Sequence, residues 1–178
     1  MILGILIALL LAAVAIVAAY IMLQGDAQLE FATDRRTQAV AVSASEERVD
    51  FQVQVPFKNI GKQEGTILDT FIRVYLPQEQ YDGLQLRGKV NLDQVMREDD
   101  YFEAMLVPAG QGGKLLLRFE AVPCKGLTMA QALKSMPDVD VCLYTECRGR
   151  KELYTAKKYF TLTAEELGQL LEQYYVGK

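Results

Sequence analysis

From Ile2 to Leu23 the chain carries no charged residue and no proline, only a block dominated by Leu, Ile, Ala and Val. Coiled as a helix, that block is about 33 Å long at ~1.5 Å per residue, enough to cross the ~30 Å hydrocarbon core of a bilayer. A helix satisfies its own backbone groups, which a chain in lipid must do. Tyr20 near one end suits the interface, and Gln24, Gly25 and Asp26 close the run. The spacing predicts a transmembrane anchor over residues 1–24. A cleaved secretory signal is the rival. It calls for a basic leader and an apolar core of only ~7–15 residues. No Lys or Arg precedes this run, and the small-x-small Ala13-Val14-Ala15 lies inside it rather than after it. No cysteine near its end suggests a lipid attachment, and no early Glu suggests a pilin-like subunit.

The positive charges nearest the far end of the run are Arg35 and Arg36, preceded by Asp26, Glu30 and Asp34. Acidic flanks contribute little to topology, and a domain of this size translocates largely regardless of flank charge. The expected arrangement is a single-pass membrane protein with its domain extracytoplasmic.

After the anchor the dominant apolar period is two. Val49, Phe51, Val53, Val55 and Phe57 alternate with polar positions, the mark of a strand with one buried face. Pro56 on the polar side suits an edge or a strand terminus. Asn59-Ile60-Gly61 and Gly65 supply a turn. A second strand follows, with Leu68, Thr70, Ile72, Val74 and Leu76 expected on one face and Pro77 stopping it. Further strands are expected at Gln38–Ser43, 84–92, 101–107, 114–122, 139–147 and 152–160, with 28–31 either linker or strand. Pro108 to Gly113 reads as a loop, and Arg148-Gly149-Arg150 as a hairpin tip. Seven or eight short strands separated by turns argue for an antiparallel sandwich.

Two helical pieces interrupt the pattern. Thr128 can cap a helix over 129–135, and Thr163-Ala164-Glu165-Glu166 fits a capping box ahead of Leu167, Leu170, Leu171 and Tyr174 on one face. Core packing is the expected use of that stripe; partner binding is the sharper alternative. The fold class is therefore mainly β. A transmembrane helix (1–24) leads through a linker or first strand (25–37) to a β-sandwich (38–162), with an amphipathic helix (163–178) packed on it.

The strand at 49–58, the Asn59-Ile60-Gly61 turn, the strand at 66–76 and Pro108-Ala109-Gly110 ahead of Leu115-Leu116-Leu117 resemble immunoglobulin-like sandwich modules of bacterial envelope proteins. Together with the anchor they resemble, more loosely, membrane-tethered LEA14-like domains. The resemblance covers about residues 45 to 122 and rests on generic turn chemistry. It implies a fold and a tethered, non-catalytic habit, and it carries over no site residues. The Cys…Trp…Cys core of antibody-type domains is absent.

The chain has no histidine, which excludes Ser–His and Cys–His catalysis and any His-ligated metal. The glycines at 110, 112 and 113 lead into a strand pattern rather than a helix, so they form no phosphate-binding loop. Cys142 and Cys147 fall on opposite faces of one strand, about 17 Å apart at ~3.3 Å per residue, too far for a disulfide. Cys124 with Cys142 is the pairing left open, and Cys147 reads as a small buried apolar residue. Glu98, Asp99 and Asp100, with Asp93 and Glu103, form an acidic group that could hold Ca²⁺ but lacks the EF-hand spacing; a solvated loop is the plainer reading. Arg148, Arg150, Lys151, Lys157 and Lys158 could meet anionic headgroups or an acidic partner, or simply guard a sheet edge. No concentrated basic face points to nucleic acid.

The function expected is a membrane-tethered, non-catalytic binding or structural module of the cell envelope, with no cofactor, no metal and no catalytic residue. Its partner would be the membrane through its N-terminal helix, and an envelope protein or surface polymer. The alternatives are a lipid or apolar-ligand domain, or an enzyme centred on Cys142 or Asp99.

Overall fold

The alternation around Val53 sets the architecture. In the computed structural model, which describes residues 2–77, 79, 81–92, 101–150 and 152–176, nine strands form two antiparallel sheets. The first sheet orders β1 (Leu29–Phe31), β3 (Val49–Asn59), β7 (Gly112–Pro123) and β5 (Leu84–Leu92), and β2 (Val40–Ala44) also pairs with β3. The second orders β6 (Met105–Val107), β4 (Gly65–Tyr75), β8 (Val139–Arg148) and β9 (Leu153–Leu162). Helix α1 (Ile2–Leu23) precedes the sheets. The helices α2 (Met129–Lys134), α3 (Ala164–Gly168) and α4 (Leu170–Val176) complete the order.

Every second residue of β3 enters the core. Val49, Val53 and Val55 are fully enclosed, and Phe51 stacks on Phe119 of β7 with ring centroids 5.0 Å apart. From the opposite sheet come Ile67, Ile72, Val141, Leu143 and Leu162. Each such side chain contributes about 1.5–3 kcal/mol on burial. Pro56 sits inside the sheet, yet its missing donor costs little. Its carbonyl accepts from Ala32 N at 2.9 Å on the side where β1 has ended and β2 has not begun, so its nitrogen faces a gap in the neighbouring strand.

Four expectations need correction. Leu68 is exposed and Ile67 takes its place inside, because a β-bulge between Ile67 and Asp69 shifts the alternation. Gly112 and Gly113 belong to β7, so the loop before it is shorter than the glycines suggest. A side chain at Gly112 would strike the Phe57 carbonyl of β3, which is why a strand position there is glycine. Residues 101–104 are not strand; β6 begins at Met105. The C-terminal helix is broken at Gln169 into α3 and α4.

Thr128 and Thr163 cap α2 and α3 as expected, accepting from Gln131 N at 3.3 Å and Glu166 N at 3.2 Å. The first box is complete, with Gln131 reaching back to Thr128 N at 3.0 Å. The second is half made, since the Glu166 side chain turns away to Arg36 and Ala39. Leu167 and Leu170 are buried, so the C-terminal apolar stripe packs on the domain, with α4 against β2.

Thr70 and Thr145 lie side by side on the inner face of the second sheet, and neither hydroxyl has a hydrogen-bond partner among the described residues. An unpartnered buried hydroxyl costs about 1–3 kcal/mol. Thr145→Val keeps the shape and removes the orphan, and it should stabilise the chain by about 1 kcal/mol. Urea unfolding of the full chain in a nonionic detergent checks this, with a lowered midpoint counting against it.

Candidate functional site

Two regions of the surface stand out: the seat of the apolar helix on the domain, and the outer face of the second sheet. Helix α1 is long and apolar enough to cross a membrane, and none of it is buried in the domain. It ends as helices commonly do, with Gly25 in the left-handed region (φ 69°) just beyond the last turn. There two loop tips grip the chain. From the β8–β9 turn, the Arg150 guanidinium donates to the Ile21 carbonyl at 3.4 Å and to Gln24 Oε1 at 3.1 Å. A basic side chain on the final carbonyls complements the negative end of the helix. From the β3–β4 turn, Gln63 Nε2 donates to the Gln24 carbonyl at 3.3 Å.

Asp26 is the hub of this seat. Its Oδ1 accepts from Ala27 N at 2.8 Å and Arg150 N at 2.7 Å, and its carbonyl accepts from Lys62 N at 3.0 Å. Two glycines permit the close approach: a Cβ at Gly61 would collide with the Asp26 carbonyl and Gln28 N, and one at Gly149 with the Asp26 carboxylate. Beneath, Asn59 is fully buried and makes four bonds. Its amide donates to the Gln63 carbonyl (2.8 Å) and the Val107 carbonyl (2.9 Å), and its Oδ1 accepts from Gln28 N (3.1 Å) and Gly61 N (3.0 Å). The helix therefore leaves the domain through a braced joint, not a loose linker.

On the outer face of the second sheet the register aligns Phe71, Tyr144 and Lys157 in one row and Arg73, Cys142 and Tyr159 in the next. Phe71 stacks on Tyr144 at 4.9 Å with the planes 4° apart, while Arg73 and Lys157 lie 5.7 and 5.3 Å from the Tyr144 ring centre. Cation–π contacts of this kind contribute about 0.5–1 kcal/mol at exposed sites. Tyr75 and Tyr144 share a hydroxyl–hydroxyl hydrogen bond of 3.2 Å, and hydrogen bonds to Tyr75 and then Cys142 hold the Tyr144 phenol above its ordinary pKa. Phe71, Tyr75 and Tyr159 remain 40 %, 45 % and 61 % exposed. Beneath them Cys142 is wholly covered.

The residues singled out by sequence are dispersed. All three cysteines are free thiols, so Cys124 and Cys142 are not bridged. Cys142 faces outward under the tyrosines and Cys147 inward, as their odd spacing requires, and burial pushes the Cys147 thiol up to about 11. Of the acidic group, Glu103 is exposed, whereas Asp93, Glu98, Asp99 and Asp100 lie outside the described residues, as does Lys151. The basic residues do not form one stripe. Arg150 braces the helix, Lys157 joins the aromatic face and Lys158, next along β9, points the other way. The aromatic ladder itself escaped the sequence reading, because its members come from three strands whose register only the fold defines.

No protein-family model matches the chain, and no curated protein matches it. Among solved structures it is similar to the yeast GGA1 GAE domain, at 8 % identity and a TM-score of 0.34 over 70 % of this chain and 98 % of that one. It is similar also to the GAE domain of GGA2p from Saccharomyces cerevisiae, at 12 % identity and a TM-score of 0.34 over 71 % of this chain and 98 % of that one.

Proposed function

We propose that the protein is a non-catalytic module of the cell envelope, tethered by α1 to a membrane and held at a fixed attitude to it, with its domain outside the cytoplasm. The observation that carries this reading is the braced exit of α1. A wholly unburied 22-residue apolar helix needs lipid around it, and Arg150, Gln63 and Asp26 couple its end to two loops of the sandwich. A rigid joint serves presentation, because it fixes which faces of the domain point away from the bilayer. The exposed rings of Phe71, Tyr75 and Tyr159 form the surface suited to a second envelope protein or a surface polymer, aromatic side chains being enriched where binding energy concentrates.

An immunoglobulin-like classification draws support from the strand order. The β2-β3-β7-β5 and β4-β8-β9 sequences match the A-B-E-D and C-F-G sheets, with β6 added beside β4. The tethered habit of LEA14-like domains fits the same arrangement. The apolar-ligand reading gains nothing from the interior, where Phe51, Phe119, Leu117 and Leu143 fill the space between the sheets.

Membrane fractionation tests the tether: the chain should stay with the pellet through carbonate extraction and move to the supernatant when residues 1–24 are removed. A membrane-impermeant maleimide tests the side. Cys142 and Cys147 are buried, so Cys124 is the thiol that reports. Labelling in intact cells, abolished in Cys124→Ser, is the expected result. Labelling only after lysis, or carbonate extraction of the full chain, overturns the proposal.

A further inference from the structure

Three chain reversals meet where α1 leaves the sandwich: the β3–β4 turn, the segment between β6 and β7, and the β8–β9 turn. The first is bonded to the chain leaving the helix, with Ile60 N donating to the Gln28 carbonyl at 2.8 Å and Lys62 N to the Asp26 carbonyl at 3.0 Å. The second joins it through Gly110 N, which donates to the Asn59 carbonyl at 2.9 Å. The third reaches furthest, since Arg150 touches the Ile21 carbonyl in the last turn of α1. Among the described residues beyond α1, six large aliphatic side chains are exposed. Val40 and Val42 lie on β2. The other four are Ile60, Leu68, Leu106 and Leu153, and all of them lie at this end of the domain. Register explains the clustering. Leu106 pairs with Thr66, Thr66 with Arg148 and Arg148 with Leu153, so one row across four strands carries a leucine at each edge of the second sheet. Leu106 and Leu153 are 62 % and 54 % exposed, and Ile60 in the β3–β4 turn is 49 % exposed. The opposite end of the sandwich presents Glu46, Glu47, Asp82 and Lys125 instead.

We infer that this end of the sandwich is a lipid-contacting surface: with α1 across a bilayer, Ile60, Leu106 and Leu153 seat in the headgroup layer and the domain stands end-on. Exposed apolar side chains gathered in one place mark an interaction site, and position says what covers this one. Met22 and Leu23 are exposed in the last turn of α1, so apolar surface runs on from the helix to the loops. The row of Leu106 and Leu153 stands two residues back from the arginine that touches Ile21, about 7 Å at ~3.3 Å per residue. A bilayer extends about 5–7 Å beyond its hydrocarbon core on each side, and interfacial apolar faces sink ~5–10 Å into that boundary. The two lengths match. Tyr154, beside Leu153, keeps its ring partly exposed at the same level, where aromatic side chains are enriched. Lys62, Arg148 and Arg150 share this end with Asp26, Glu64 and Glu152, so apolar surface carries the contact. The seat rests on the tethered-module reading, because the end of α1 marks the interface only where α1 spans a bilayer.

The test places single tryptophans in the full chain, which has none of its own, and reconstitutes each variant alone in phosphatidylcholine nanodiscs. Val17→Trp reports on α1, Ile60→Trp and Leu153→Trp on the proposed seat, and Glu46→Trp on the opposite end. In discs whose phosphatidylcholine is brominated near the headgroup end of its acyl chains, the first three should lose emission and Glu46→Trp should keep it. Quenching at position 17 with positions 60 and 153 as bright as position 46 overturns the inference and leaves the tether standing; it is also what a protein partner for these leucines would give. An unquenched Val17→Trp fails the tether, and the inference falls with it. Quenching at all four positions lays the domain flat on the bilayer and overturns the end-on seat. Because indole itself favours the interface, a small reporter gives the second reading. In a Cys124→Ser chain, Ile60→Cys should be protected in discs from a membrane-impermeant maleimide, whereas Glu46→Cys should be labelled. Equal labelling of the two overturns the inference. Unchanged circular dichroism and melting in each variant excludes unfolding as the cause.

Discussion

Replacing Asn59 with alanine should lower the stability of the domain by about 3–5 kcal/mol, a large share of what a single domain possesses. The side chain is fully buried and all four of its hydrogen-bonding positions are used, on the Gln63 and Val107 carbonyls and on the amides of Gln28 and Gly61. Truncation leaves two donors and two acceptors without a partner. Each buried orphan costs about 1–3 kcal/mol, and water entering beside Gln28 and Gly61 recovers part of the total. Because the four groups belong to the chain leaving α1, the β3–β4 turn and β6, the loss should also free the joint. Urea unfolding of the full chain in a nonionic detergent reads the first effect. Faster proteolysis between residues 24 and 29 reads the second. Asn59→Asp should be no milder, since a carboxylate keeps the two amide bonds but sets its second oxygen against two carbonyls. A midpoint shift equivalent to less than 1 kcal/mol would contradict this account of Asn59.

Asn59 also illustrates what a sequence displays and what it conceals. As the first residue of Asn59-Ile60-Gly61 it reads as a turn residue, and the turn is there. Its role as the hub of three segments depends on β6, nearly fifty residues away. The apolar block of α1 and the alternation of β3 were legible because each is a local rhythm in the chain, an unbroken run of apolar residues in one helix or the burial of one sheet face. Leu68 was misassigned because a bulge is a local departure from that rhythm which leaves no mark in composition. Gly112 was misassigned for a related reason: glycine signals a turn and a close strand contact equally, and only the position of the Phe57 carbonyl distinguishes them. The candidate surfaces were least legible. Phe71, Tyr144 and Lys157, or Leu106, Thr66, Arg148 and Leu153, become neighbours only through strand register, which long-range pairing sets.

The same lesson sharpens at Glu166, where the local motif is overridden. The capping-box spacing directs its carboxylate to the start of α3. Instead it forms a two-pronged pair with Arg36, at 2.8 and 2.7 Å, and accepts from Ala39 N. Arg36 further donates to the carbonyls of Thr37 and Thr161 and lies 5.4 Å from the centre of the Phe160 ring. Only 9 % of the Glu166 side chain and 15 % of the Arg36 side chain remain exposed. The pair ties the segment between β1 and β2 to the C-terminal helix. Removing one member of a buried pair strands the other, so Glu166→Gln should cost about 3–5 kcal/mol at neutral pH. Arg36→Met with Glu166→Met together should cost less than either change alone, because no charge is then left buried.

Titration gives the independent check. Burial alone would raise the Glu166 carboxyl, but the hydrogen bonds from Arg36 and Ala39 and the Arg36 charge outweigh it and hold the group below its ordinary value. A carboxyl whose pKa is depressed by folding stabilises the fold above its unfolded value of about 4.3, and that contribution is lost as pH falls through the lower folded value. The wild-type chain should therefore lose stability steadily from about pH 5 downward, while Glu166→Gln, lacking the titrating group, should lose less over the same range. The gap between the two should be widest near neutral pH and should narrow in acid. A gap that stays constant down to pH 3 would mean that Glu166 holds the C-terminal helix by shape and not by charge.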